Sequence, residues 1–202
     1  MTRVTTLALV LLVLTSTQGC KKKDDGLSLQ ATEEASVFAT KQYLFRGILP
    51  DSTILWRYGV YEFQRGAGST PLGTGEQPKK SLTFDLVSNK DYSTRVSIST
   101  PSYEVMSNEL FTNTLSIGNK EVGGKYTRFE LAITLGKRVY TTNGDQTGSV
   151  LKVLKTEKSK DEFNRDVVWV WFKVDCKFYS TSDMSSFNFK NGYFITGFLY
   201  NM

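Results

Sequence analysis

An antiparallel all-β fold, a β-sandwich in first place and a lipocalin-like β-barrel as the alternative, follows from three features of this 202-residue chain. Apolar residues recur at every second position from about residue 42 onward, the spacing of a half-buried strand. Turn-forming residues interrupt these runs about every 8 to 12 residues, which gives around eleven short strands. No long segment carries the 3.6-residue period of a helix.

Taken in chain order, strands are expected at about 42–49, 53–63, 81–87, 94–100, 110–117, 128–135, 138–142, 149–156, 166–180, 186–190 and 193–200. In "SLTFDLV" the residues Leu82, Phe84 and Leu86 point one way, and Thr83 and Asp85 the other. "RFELAITL" repeats the pattern, with Phe129, Leu131, Ile133 and Leu135 inside. In "VVWVWFKVDCKFY" the inward set is Val168, Val170, Phe172, Val174, Cys176 and Phe178. The opposite face of that strand carries Trp169, Trp171, Lys173, Asp175, Lys177 and Tyr179.

The turns have their own chemistry. Asn191-Gly192 is the strongest short hairpin signal, and a two-residue type I′ loop there would set Phe189 opposite Phe194. "LGKR" (135–138) and "TNGDQTG" (142–148) read as two further reversals. Two segments read as long surface loops: 64–80, rich in Gly and Pro, and the charged 156–166, with room for one helical turn around Phe163. A mature length near 180 residues suits one domain, 37–202, whose core needs no disulfide.

The amino-terminal end carries a different message. Arg3 precedes an unbroken apolar run, "LALVLLVL" at 7–14, too short for a spanning helix of about 20 residues and patterned as a signal peptide. It ends at Gly19-Cys20, a small residue followed by a thiol. This resembles the lipobox of bacterial lipoproteins, with Thr17 where that family favours Leu. The resemblance implies a signal peptide at 1–19 and a lipidated Cys20 as the first mature residue. Lys23, Asp24 and Asp25 resemble the lysine-plus-two-acids signal that sends Bacteroidota lipoproteins to the outer face of the outer membrane. The implied address is a lipid anchor in the outer membrane, facing the cell surface. Two or more acyl chains at about 0.8 kcal/mol per buried methylene would hold the protein there. Residues 20–36, polar and poor in aromatics, are expected to be a flexible tether.

Composition then removes whole classes of chemistry. The chain has no histidine, so Ser-His-Asp and Cys-His catalysis and His-ligated zinc each lose an essential member. With Cys20 committed to lipid, Cys176 has no disulfide partner, and its place among apolar residues reads as core. Loss of residues 1–19 removes only Arg3 from 25 Lys and Arg, leaving a mild excess over 20 acids. The lysines form no stripe, so nucleic acid is not an expected partner. "SVLK" at 149–152 has the S-x-x-K spacing but sits on a strand, where Ser149 and Lys152 face opposite ways. "GNKEVGGKY" at 118–126 fails the phosphate-loop spacing, and no calcium loop is present, so no cofactor or metal is expected.

What remains points to binding. Trp169 and Trp171, beside Lys173, Asp175 and Tyr179, would form a ring platform for sugars if that strand face meets solvent, and packing if a second layer covers it. Trp56 and Tyr58 pose the same choice. The expectation is a non-enzymatic module for a glycan or an envelope partner protein. A small-ligand carrier is the alternative, and a glycoside hydrolase would need two carboxyl groups about 5 to 5.5 Å apart.

Overall fold

Period-two alternation becomes twelve strands of one antiparallel sheet among the described residues, which are 41–59, 63–72, 78–90, 92–105, 107–183 and 185–200 of the computed structural model. The leader, Cys20, Lys23, Asp24, Asp25 and the tether lie outside them. The strands are β1 (Leu44–Leu49), β2 (Ser52–Arg57), β3 (Phe63–Leu72), β4 (Lys79–Ser88), β5 (Thr94–Ser99), β6 (Tyr103–Glu104), β7 (Gly118–Lys120), β8 (Glu130–Leu135), β9 (Arg138–Thr141), β10 (Val150–Lys160), β11 (Asp166–Ser180) and β12 (Ser186–Leu199). They are ordered β2-β1-β12-β11-β9-β8-β5-β4-β3, with β10 between β11 and β7 and β6 on β4.

The sheet curls into a half-barrel. Phe84 on β4 meets Phe194 on β12 across the interior at 6.0 Å. At one corner Trp56 of β2 stacks on Phe63 of β3 at 5.1 Å, and Tyr58 bridges to Phe63, so the two ends of the strand order meet. Phe45, Phe84, Phe129, Phe172, Phe178, Phe189, Phe194 and Phe198 are fully buried. Each contributes about 2 kcal/mol through burial. This interior is packed with rings as in a sandwich core, while its strands form one curled sheet whose ends, β2 and β3, are joined in backbone pairing, among the described residues, only by the Tyr58-Phe63 bridge. The inward positions read from alternation are confirmed at Leu82, Phe84, Leu86, Phe129, Leu131 and Ile133, all at 1% exposure or less.

The Asn191-Gly192 hairpin is not formed. β12 runs straight through it, and the dipeptide is instead a β-bulge. Val174 pairs with Gly192 and Cys176 with Phe189, so one β11 residue faces two on β12. The same extra residue appears against β1, where Arg46 pairs with Tyr193 and Ile48 with Lys190. Asn191 takes a positive φ of 50°, as the first residue of a type I′ loop would, but Gly192 does not, and strands continue on both flanks and convert a turn into a kink. Phe189 therefore sits across from Cys176, and Phe194 across from Phe172. Because the insertion is in β12, the alternation of β11 survives, and Cys176 stays in phase with Val174 and Phe178.

The 64–80 loop is also corrected. Residues 63–72 form β3, paired with β4 from Phe63↔Ser88 to Leu72↔Lys79. Gly66, Gly68 and Pro71 are poor strand formers, but among the described residues β3 is an edge strand with one neighbour, where they are tolerated. The strand expected at 110–117 is a helical turn, Leu110–Thr114, closed by Leu115 N–H to the Leu110 carbonyl at 2.7 Å. Its buried residues are Leu110 and Thr114, with Leu115 buried at its end, spacings of four and five rather than two. The 156–166 loop shrinks to a five-residue turn between Lys160 and Asp166.

"LGKR" does reverse the chain, with Gly136 at φ 62° between β8 and β9. "TNGDQTG" does not. β9 and β10 are both antiparallel to β11, so they run the same way along one edge of it, and 142–149 is a detour. The Gln146 side chain fills the gap in the ladder. Its Nε2 donates to the Lys177 carbonyl at 2.7 Å, and its Oε1 accepts the Lys177 N–H at 3.2 Å. Replacing Gln146 with alanine strips both backbone groups of their partner and is expected to cost about 2 kcal/mol, read as a lowered urea midpoint. Gln146→Glu should be no milder, because its carboxylate turns an acceptor toward the Lys177 carbonyl.

Candidate functional site

The tryptophan platform is not formed. Trp171 is 1% exposed and Trp169 8%. Trp171 lies beside Ile195 of β12 and beneath its β10 neighbour Lys155, whose Nζ sits 4.6 Å from the ring centroid. A lysine stem laid along an indole keeps its charge in water while it covers the ring. The remaining residues of that face do separate work. Asp175 Oδ1 accepts the Asn191 N–H at 2.6 Å, satisfying an amide at the bulge. Tyr179 donates its hydroxyl to the Asp145 carbonyl at 2.5 Å and packs on Gly144, where a Cβ would come within 2.6 Å of the ring. Lys173 pairs with Tyr193 on one side and Lys152 on the other. At about 3.3 Å per residue, Trp169 and Tyr179 stand roughly 30 Å apart, too far for one small ligand.

Trp169 belongs to a different site. Where β1, β3 and β11 begin and β2 and β10 finish, a cleft of about 410 Å³ is lined by Tyr43, Tyr58, Arg65, Lys160, Glu162 and Trp169, among others. A second cavity of about 270 Å³ adjoins it, with Tyr43 and Arg65 shared between the two. The Tyr43 ring bridges two layers, 4.8 Å from Phe84 and 4.5 Å from Trp169. Gly197 makes room for it, since a Cβ there would lie 3.0 Å from the Tyr43 ring and hydroxyl. Tyr58, half-buried, stands edge-on to Tyr43 at 5.7 Å.

Arg65 organises the cleft. Its guanidinium lies 5.1 Å from the Tyr43 ring and 5.5 Å from the Tyr58 ring. Nη1 donates to the Tyr43 hydroxyl and Nη2 to Glu162 Oε1, each at 2.5 Å. Burial raises the Tyr43 hydroxyl above the ordinary tyrosine range, although Arg65 pulls the other way. For Arg65 burial works downward, but Tyr43 and Glu162 outweigh it and strengthen its proton.

Asp161 suits positioning better than proton transfer. Asp161 Oδ1 accepts the N–H groups of Phe163 and Arg165, and Oδ2 accepts Arg165 Nε at 2.8 Å. Burial pushes its carboxyl up, but the Arg165 guanidinium and these N–H groups win and hold it below the usual carboxylate range. A general acid for glycoside cleavage needs the opposite shift. Elsewhere, burial drives the Cys176 thiol far up, which leaves no thiolate for nucleophilic work. Among the described residues, no group of three Asp, Glu, Cys or His side chains could hold a metal ion.

Fold and cleft together define a class: an all-β protein whose curled sheet ends in a small cleft of aromatic rings and paired charges. No protein-family model, curated protein or solved structure matches the chain.

Proposed function

We propose that this chain is a lipid-anchored lipoprotein of the outer membrane, displayed at the cell surface, whose β-domain is a non-enzymatic module binding a glycan in the Tyr43-Tyr58-Trp169 cleft. The observation that carries the binding is the cleft itself. Its volume, about 410 Å³, lies in the range of roughly 300 to 1,000 Å³ typical of small-ligand sites. It combines three rings with a guanidinium and the exposed Glu162 carboxylate, both able to hydrogen-bond hydroxyl groups. The anchoring rests on Gly19-Cys20 and on Lys23, Asp24 and Asp25. An interior filled by phenylalanines favours this reading over a carrier with its ligand inside the sheet.

The test is a glycan array with the full chain carrying Cys20→Ser, followed by titration of the hits by tryptophan fluorescence. Binding that shifts the emission, with the shift lost in Trp169→Phe, is the expected result. An array without hits would remove the function. Membrane fractionation of the wild-type chain and of Cys20→Ser tests the anchor separately: the wild type should sediment with membranes and the variant should not.

A further inference from the structure

We infer that the ligand of this cleft is a neutral saccharide of at least two rings, its hydroxyls inserted between Arg65 and Glu162; this rests on the glycan reading above. The argument is the charge balance of the walls. Lys41, Arg65 and Lys160 line the first cavity and Arg165 the second, and each has a carboxylate partner. Lys41 pairs with Glu157, which also takes Lys155 at 3.2 Å. Lys160 meets Asp166 at 2.5 Å, Arg165 meets Asp161 at 2.7 Å, and Arg65 meets Glu162 at 2.5 Å. A carboxylate or sulfate on the ligand would have to share one of these cations with its acid or displace that acid, and in either case face its negative charge at close range.

A hydroxyl has no such difficulty. It accepts from Arg65 Nη2 through its oxygen and donates its hydrogen to Glu162 Oε1, so both protein groups stay satisfied. Arg65 is held by two rings and the Tyr43 hydroxyl, while Glu162 is 52% exposed on the 161–165 turn and is free to give way. Arg65 and Tyr43 form the wall shared by the two cavities, which places one sugar ring on each side of the guanidinium.

The experiment titrates the full chain carrying Cys20→Ser with neutral oligosaccharides (glucan, mannan and xylan) and with oligogalacturonate, at low and high salt. Neutral chains alone should bind, with little salt dependence, and Arg65→Met should weaken them more than about tenfold while circular dichroism stays unchanged. Glu162→Gln should weaken neutral binding about threefold and raise affinity for oligogalacturonate about tenfold, because it leaves Arg65 only the more distant Asp161, 3.9 Å away and already bound to Arg165, as counter-charge. A purely structural Glu162 would move both ligands the same way, and that outcome overturns the proposal. Tighter, salt-sensitive binding of oligogalacturonate by the parent chain also overturns it, while the glycan reading stands. Failure of every saccharide to bind overturns both.

Discussion

Phe189→Ala is expected to destabilise the domain by about 5 kcal/mol, at the upper end of the range for a buried aromatic. The ring is fully buried, stacked on Phe45 at 5.0 Å and edge-on to Phe178 at 6.0 Å. It also lies against two glycines. A Cβ at Gly47 would fall 2.1 Å from its Cζ, and one at Gly192 would fall 2.1 Å from its Cε1. The slot left by truncation is thus walled by backbone of β1 and β12, which the bulge pins from both sides, so the site cannot collapse to recover the loss. Gly192→Ala should itself cost about 3 kcal/mol, because its methyl would also come 2.5 Å from the Val174 carbonyl oxygen, which cannot move aside. The two losses should not add. With the ring gone, the methyl has partial room, and the double variant should be more stable than the sum of the singles implies. Urea titration of the four proteins checks this, and strict additivity would show that ring and glycine do not compete for one space.

The same residues show where sequence reasoning stopped. Of the two positive φ angles that a type I′ loop requires, Asn191 has one and Gly192 does not, so the local preference of the dipeptide survives only in its first residue. Whether the chain turns or bulges there depends on β1 and β11, strands far away in sequence, and their register was not legible. Strand β3 was missed for a related reason. Gly66, Gly68 and Pro71 have low intrinsic preference, and it is β4, strongly alternating, that templates them. Alternation did reveal the inward face of β11, down to Cys176.

Alternation was silent on what covers the opposite face, so it allowed Trp169 and Trp171 to be an exposed platform, whereas the two rings, 6.4 Å apart, are buried, one at the wall of a cleft and the other beneath Lys155. The cleft was half visible. Both segments marked as unusual loops contribute to it, Arg65 from one and Asp161 with Glu162 from the other. Their contact, 97 residues apart, belongs to the curl of the sheet and has no local signature.

Asp161→Asn should cost about 3 kcal/mol near neutral pH and should open the cleft as well. The carboxylate side chain is 2% exposed and accepts four hydrogen bonds: two from the backbone of its own turn, then Arg165 Nε and Nη2 at 2.8 and 2.7 Å. The amide loses the charge and turns donors toward a guanidinium that can only donate. The pH dependence carries the sign of a depressed carboxyl. Below the ordinary aspartate value of 3.8 the unfolded chain takes up this proton first, and the folded chain resists it. Stability contributed by Asp161 is therefore complete above that value and drains away as pH falls through the lower folded one. The gap between wild type and Asp161→Asn should be widest near neutrality and should narrow in acid, a difference in which the other carboxylates cancel. Because the same turn holds Glu162 against Arg65, the variant should also lose the Trp169 fluorescence response to saccharide. A gap that stays constant into acid would mean that the charge on Asp161 does not hold the turn, and the preorganisation of the cleft would need another source.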